Sequence, residues 1–149
     1  MIVGCGRVGS RLAQRLERGG NEVVVIDDNR ENFASLGGDF RGATFHGSGL
    51  DAPTLKRAGI ASCDALVAVT GGDNRNLMIV QMAKHEFDTP RAIARLKDPI
   101  RAAKYRELGV ETLCVTTVVE GLIELWTQNG HFPELPGEMS ASGDAGALE

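Results

Sequence analysis

The sequence predicts an α/β fold in which helices cover both faces of one doubly wound parallel sheet. Short apolar runs alternate with segments of helical spacing, which is the pattern of βαβ units. The runs are continuously apolar, as strands are when both faces of a sheet are buried. A glycine-rich turn follows the first run directly. The length of 149 residues suits one such domain.

Six apolar runs are expected to form the strands, and six strands with five crossovers complete a three-layered sheet of the Rossmann type. The runs comprise residues 1–3, 23–26, 43–45, 65–69, 92–96 and 113–115. Only three residues precede Gly4, which is short for a central strand, so we expect the native chain to begin upstream.

Helical spacing of apolar residues marks three of the intervening segments, which begin near Val8, Leu77 and Val118. After residue 129 the character of the chain changes to proline, glycine and serine without periodicity. We therefore predict one folded domain over residues 1–129 and a flexible tail or linker over residues 130–149.

Composition excludes several classes of protein. The formal net charge of −4 argues against a nucleic-acid binder that depends on bulk positive charge. No apolar run approaches the roughly 18 residues of a membrane span, and no signal peptide is visible. The three cysteines, Cys5, Cys63 and Cys114, have neither disulfide nor zinc spacing. A cytoplasmic protein without direct membrane insertion is expected.

Gly4-Cys5-Gly6-Arg7-Val8-Gly9 is a GxGxxG sequence placed between a strand and an amphipathic helix. In that context the first glycine permits the turn and the second lets a pyrophosphate approach the backbone. The third lets the helix pack closely on the strand. The N-terminus of the helix offers free N–H groups and partial positive charge. All six residues are predicted to bind the phosphates of an adenine nucleotide.

Asp27 ends the second predicted strand, where an acidic residue accepts hydrogen bonds from the ribose of a bound adenosine. Asp28 follows it and is included in the predicted site. A carboxylate there repels a 2′-phosphate, so NADP should be disfavoured. The alternative is an ordinary glycine-rich turn with an aspartate present by chance.

Gly47, Ser48 and Gly49 follow the third strand, at the edge of the sheet that faces the ligand crevice. Their small side chains would let a flat base lie against the backbone, with Ser48 at the edge of the base. The alternative is a turn that caps a helix, with Asp51 as the N-cap residue.

Thr70 and Asn74 follow the fourth strand beside the reversal of strand order, and Arg95 ends the fifth strand. Thr70 and Asn74 are predicted to reach the phosphates or the ribose, and Arg95 is predicted to lie near the same crevice and to belong to the site. The alternatives are an N-cap at Asp73 and a surface position for the Arg95 side chain. Arg7 also has an alternative, because it begins a series of arginines at helical spacing that is typical of a solvated face.

No catalytic residues and no metal site are predicted. Tyr105 lacks a lysine four residues later, and His46, His85 and His131 have no cysteine or carboxylate at metal-ligand spacing. A nucleotide-binding domain without a substrate domain favours a sensor over an enzyme. The alternative function is a small NAD-dependent oxidoreductase, or a fragment of one.

Five segments together resemble the RCK (regulator of potassium conductance) N-terminal domain, also called TrkA-N. They are GCGRVGSRLA, VVVID, GSGLDAPTLKRAGI, CDALVAVTGGDNRNL and ARLKDPIRAAKYRELGVET, and the likeness extends to about residue 129. The resemblance implies a cytoplasmic regulatory domain that binds NAD(H), ATP, ADP or AMP. It also implies dimers or larger rings bound to a membrane potassium transporter or channel, peripheral to the inner membrane.

By this resemblance the nucleotide contacts fall on Gly4, Gly6, Arg7, Gly9 and Asp27. Ser48 stands where the family often has Asp or Asn. Thr116-Thr117 stands where some members have a cation-binding Pro-Glu pair, which argues against a switch driven by ATP and a cation. The family's usual C-terminal ligand-binding domain is absent, so the chain is expected to be a fragment or a short member.

The last helical segment carries more apolar residues than one docking stripe requires. Val118, Leu122 and Leu125 are expected to face the core of the domain. A second stripe consists of Val119, Ile123 and Trp126, which predicts a homodimer that buries Trp126. The alternative is that Trp126 covers the core of its own domain.

Overall fold

A six-stranded parallel sheet is the centre of the computed structural model, which describes residues 1–133. The strands are β1 (Ile2–Val3), β2 (Val24–Asp27), β3 (Ala43–His46), β4 (Ala65–Ala68), β5 (Arg91–Leu96) and β6 (Thr112–Cys114). The helices are α1 (Arg7–Arg18), α2 (Ala52–Arg57), α3 (Asp73–His85), α4 (Pro99–Glu107) and α5 (Val115–Asn129). Two 3₁₀ segments, Arg30–Leu36 and Ile60–Ser62, complete the connections.

The strand order β3-β2-β1-β4-β5-β6, with every pair parallel, confirms the predicted doubly wound sheet. The order reverses between β1 and β4, where Ile2 pairs with Val67 and Val3 with Ala68. The N-terminal amino group of Met1 continues this ladder by donating to the carbonyl of Ala65 at 2.8 Å. A crevice for a ligand is expected outside the carboxyl ends of the strands at such a reversal.

Adjacent residues of one strand belong to cores on opposite faces of the sheet. Ile2 packs in a cluster with Ala13 of α1, whereas Val3 packs in a cluster with Leu55 of α2 and Ile79 of α3. Successive side chains of a strand point to opposite faces, so both faces are covered by helices. This explains why the strands are continuously apolar in the sequence.

The chain divides into two compact units, Met1–Val115 and the part from Thr116 onward. The extent of one domain to residue 129 stays a prediction, and most of the predicted tail, residues 134–149, lies outside the described residues. Within residues 1–133 no helix is both long and apolar enough to cross a membrane.

Helix α5 buries none of its residues. Val118 and Leu125 are 44% and 42% exposed, and the surface that they face stays a prediction. Trp126 is 48% exposed, and its ring stacks on Phe132 with 6.2 Å between the ring centroids. Within this helix Val119 and Ile123 are also exposed, whereas Leu122 is partly exposed.

Candidate functional site

The glycines of the GxGxxG turn occupy three different environments. Gly4 has φ +106°, and a Cβ there would lie 2.8 Å from the amide nitrogen of Thr70. At Gly9 a Cβ would lie 1.8 Å from the carbonyl oxygen of Gly4. Apart from its neighbours along the chain, no described atom lies within 4 Å of a Cβ built on Gly6. The fold itself thus requires Gly4 and Gly9, whereas Gly6 faces open space.

Helix α1 begins beside this open space. Gly6 is its N-cap and provides no side-chain acceptor, so the first-turn N–H groups are not capped by that residue. Such groups bind anions well, because they combine free donors with the positive end of the helix dipole. The space at Gly6 and the helix end together form a cradle that fits a phosphate.

Asp27 holds the glycine-rich turn in place. The residue is buried, with 7% of its surface exposed. One carboxylate oxygen accepts from the backbone N–H of Cys5 at 2.5 Å. The other accepts from the backbone N–H of Asn29 and the side-chain amide of Asn32, both at 2.8 Å. The carboxylate that was predicted to bind ribose therefore also fixes the conformation of the loop.

Cys5 is a residue of this loop, and its side chain is fully buried. Its thiol donates to the carbonyl oxygen of Asn32 at 3.4 Å. Burial, and secondly the charge of Asp27, raises the pKa of the thiol from 9.0 to about 11. At neutral pH this cysteine is protonated and is not a nucleophile.

A cleft at the carboxyl ends of β1, β2 and β4 brings seven of the predicted site residues together. These are Gly4, Gly6, Asp27, Asp28, Gly47, Gly49 and Thr70. The lining is completed by residues that the sequence analysis did not single out, namely Val3, Ile26, Asn32, Val69, Gly71 and Arg75. The glycine-rich turn after β1 and the acidic end of β2 therefore line one cleft, together with the loops that follow β3 and β4.

Seven predicted residues do not line this cleft: Cys5, Arg7, Val8, Gly9, Ser48, Asn74 and Arg95. Cys5 is buried in the loop and Gly9 is buried in the first turn of α1, while Arg7 and Val8 are exposed on the same helix. No hydrogen bond or ion pair joins the Arg7 side chain to residues 1–133, so it is available to a ligand at the helix end.

The loop after β3 combines a turn with a helix cap. The Ser48 hydroxyl accepts from the backbone N–H of Leu50 at 3.1 Å. Asp51 is the N-cap of α2, and its carboxylate accepts from the backbone N–H of Thr54 at 2.9 Å. The capping role considered for Asp51 is confirmed, and Gly47 and Gly49 still line the cleft.

In the loop after β4, Asp73 is not the N-cap that was considered as an alternative, and the Asn74 side chain does not line the cleft. Gly72 is the N-cap of α3, so Asp73 does not cap the helix. Asp73 lies in the first turn and accepts from the backbone N–H of Lys97 at 3.0 Å. The side-chain carbonyl of Asn74 accepts a short hydrogen bond from the guanidinium of Arg101. Asp73 thus ties α3 to the loop that leads into α4, and Asn74 ties α3 to α4 itself.

Asn76, which the sequence analysis missed, joins the ends of β4 and β5. It is fully buried. Its side-chain carbonyl accepts from the N–H and the hydroxyl of Thr70 at 2.9 and 2.6 Å. Its amide nitrogen donates to the carbonyls of Thr70 at 3.2 Å and Arg95 at 2.8 Å. The partly buried Arg95 side chain also donates to the Thr70 carbonyl, at 3.2 Å, so it is not the surface arginine considered as an alternative.

Arg75 is the second residue that the sequence analysis missed. Its guanidinium contacts the carboxylate of Asp28 at 2.9 Å, and both residues line the cleft. The sequence signal was a cation in the first turn of the helix after β4, within two residues of the predicted Asn74. Among residues 1–133 no cluster of His, Cys, Asp and Glu suits a metal ion.

The TrkA-N domain family model matches residues 1–116. Over 113 residues the chain is 44% identical to the Trk system potassium uptake protein TrkA of Streptomyces coelicolor, covering 76% of this chain and 51% of that protein. It is 32% identical over 108 residues to a TrkA homolog of Pyrococcus abyssi, covering 72% of this chain and 48% of that protein. The chain thus spans about half the length of these curated relatives.

Among solved structures, the Kef CTD of Shewanella denitrificans in its AMP-bound form has a similar fold. The TM-score is 0.68 at 25% sequence identity, covering 87% of this chain and 80% of that one. The similarity therefore includes a protein described in a form bound to an adenine nucleotide.

Proposed function

The chain belongs to the TrkA-N domain family, and from this membership we propose that it is a nucleotide-sensing regulatory domain of a potassium uptake system or potassium channel. The observation that carries the proposal is the open space at Gly6, beside the uncapped end of α1 and the buried Asp27 carboxylate. This is where a Rossmann-type sheet binds the phosphates and ribose of a nucleotide.

We propose an adenine nucleotide as the ligand, either NAD(H) or one of ATP, ADP and AMP. The phosphates would lie on Gly4, Cys5, Gly6, Arg7, Val8 and Gly9. The ribose would lie on Asp27 and Asp28, and the base against Gly47, Ser48 and Gly49. Thr70, Asn74 and Arg95 complete the proposed set. The AMP-bound Shewanella domain supports this choice of ligand class.

The proposed partner is a membrane potassium transporter or channel subunit, because the relatives are named for potassium uptake. The domain would act in the cytoplasm, peripheral to the inner membrane, as a homodimer or a higher ring. A nucleotide that binds one arrangement of the assembly more tightly would shift the population toward it, and this shift would reach the pore. The role is binding and signalling rather than turnover.

Calorimetric titration of the 149-residue chain with NADH, NAD, ATP, ADP and AMP tests the proposal. We expect saturable binding of at least one of them, and loss of that binding in Gly6→Val. Circular dichroism of the variant must match the wild type, so that loss of binding reports the site and not the fold. Absence of binding by all five at millimolar concentration would refute the nucleotide site.

A second assay addresses the alternative of a small oxidoreductase. The chain is incubated with NADH and a panel of carbonyl compounds, and absorbance at the NADH band is followed. We expect no turnover above the rate without protein. Steady oxidation of NADH that is lost in Gly6→Val would support the enzyme instead.

A further inference from the structure

One ion pair spans the cleft from one half of the sheet to the other. Asp28 directly follows β2, and Arg75 lies in the first turn of α3, which follows β4. Strand β1 lies between β2 and β4, so the 2.9 Å contact crosses above the glycine-rich turn. Both residues line the cleft together with Gly4 and Gly6.

Arg75 is the only lysine or arginine among the described residues that line this cleft, whereas both Asp27 and Asp28 are acidic. Asp27 is buried and already bonded to the loop, but the side chains of Arg75 and Asp28 are 46% and 54% exposed. Exposed ion pairs contribute little, so this one is easily exchanged. A phosphate is a stronger partner for a guanidinium, because it carries more charge and can accept two parallel hydrogen bonds.

We propose that Arg75 determines specificity for a nucleotide over a nucleoside, by leaving Asp28 for the phosphate of the bound ligand. The inference rests on the proposed nucleotide-binding function. In the ligand-free domain Asp28 holds Arg75 and neutralises it. When a phosphate enters, the guanidinium turns toward it, and the released Asp28 carboxylate can accept from a ribose hydroxyl.

This exchange makes substitutions of the two residues act in opposite directions. Arg75→Gln removes the cation and leaves two carboxylates beside the phosphate, so AMP should bind more weakly. Asp28→Asn removes the competitor for Arg75, so the contribution of the phosphate should increase. Dividing the affinity for AMP by that for adenosine isolates the phosphate, because any loss of ribose contacts affects both ligands.

The experiment is calorimetric titration of the wild type, Arg75→Gln, Asp28→Asn and the double variant with AMP and adenosine. We expect the affinity ratio to fall about fivefold in Arg75→Gln, and to rise at least about twofold in Asp28→Asn. The double variant should resemble Arg75→Gln. Lys104→Gln is the matched control, since it breaks an exposed pair with Glu107 at 3.3 Å that lies outside the cleft lining.

Thermal unfolding checks that each variant is folded. The assignment of Arg75 is refuted if the ratio in Arg75→Gln stays within about twofold of the wild type, or if Asp28→Asn lowers the ratio as Arg75→Gln does. In both cases wild-type binding of AMP would still support the proposed function. Failure of the wild type to bind AMP and every other adenine nucleotide would instead refute the function itself, and this inference with it.

Discussion

The side-chain carbonyl of Asn76 accepts two hydrogen bonds from Thr70, one from its backbone N–H at 2.9 Å and one from its hydroxyl at 2.6 Å. Its amide group donates to two more carbonyls at the ends of β4 and β5. A single buried amide thus fixes the loop that forms one wall of the cleft, and its removal takes a partner from the Thr70 N–H and hydroxyl and from the Arg95 carbonyl, which are partly buried.

Asn76→Ala is therefore expected to lower the free energy of unfolding by about 2–3 kcal/mol. Urea unfolding followed by circular dichroism measures the change. Asn74→Ala is the matched control, because the same residue type in the same helix is exposed there and should cost less than about 0.5 kcal/mol. Equal effects of the two substitutions would contradict the role of Asn76.

Two glycines of one loop should respond differently to substitution. Gly6→Val should retain the fold but abolish nucleotide binding, because its side chain enters the open space where the phosphate would lie. Gly9→Ala should lower the free energy of unfolding by at least about 2 kcal/mol, since its Cβ would lie 1.8 Å from the Gly4 carbonyl oxygen. Thermal unfolding and titration of both variants give the comparison. A stable Gly9→Ala variant would show that the loop can move apart.

The two carboxylates at the end of β2 should discriminate against a phosphorylated ribose. NADP is expected to bind at least about tenfold more weakly than NAD, a difference of about 1.4 kcal/mol. Competition titration at low ionic strength measures it, and added salt should reduce the difference by screening. Similar affinities for the two dinucleotides would mean that the ribose lies away from Asp27 and Asp28.

The buried Cys5 thiol should make stability fall at alkaline pH. Its pKa is raised from 9.0 to about 11, so the folded state favours the protonated form. The contribution is complete below pH 9.0 and is lost as the pH rises through about 11. We expect this loss to be about 1–3 kcal/mol. Cys5→Ser should remove it, whereas Cys63→Ser, at a partly exposed thiol, should retain it. Urea unfolding at several pH values distinguishes the two variants.

The exposed apolar face of α5 predicts a homodimer that buries Trp126. Sedimentation at tens of micromolar should find the wild type dimeric and Trp126→Ala largely monomeric. Ile100→Ala is the control, because Ile100 is 82% exposed and lies on α4. A monomeric wild type would contradict the dimer, and a dimeric Trp126→Ala would remove Trp126 from the interface.

The sheet was predictable because its strands are buried on both faces. Continuous apolar runs located both ends of all six strands to within one residue, and the glycine spacing located the turn after β1. The surface that covers the apolar residues of α5 was not predictable from their spacing. An apolar stripe such as Val118 and Leu125 shows that a face requires cover, but it does not identify the surface that covers it.

The cleft was predictable where residue type follows from strand position, as for Gly4 and Asp27. It was not predictable where the first residue of a helix decides which side chains point into the protein. Helix α3 begins at Asp73, and residues two apart on a helix point to nearly opposite sides. Asn76 therefore turns into the protein, while Asn74 turns outward. The additional contacts of Asp27 with Cys5 and Asn32 required knowledge of the packed loop.

The hydrogen bonds that Asp27 accepts give the phosphate loop its shape before a ligand arrives. A nucleotide would lose its own freedom on binding, but it would not have to order a disordered protein segment. Association with a loop that is already ordered is limited by diffusional encounter and by charge. The observed rate constant of binding should therefore rise linearly with nucleotide concentration. Differences among ligands would then appear in their rates of departure, and the lifetime of the bound state would set how long a regulatory signal persists.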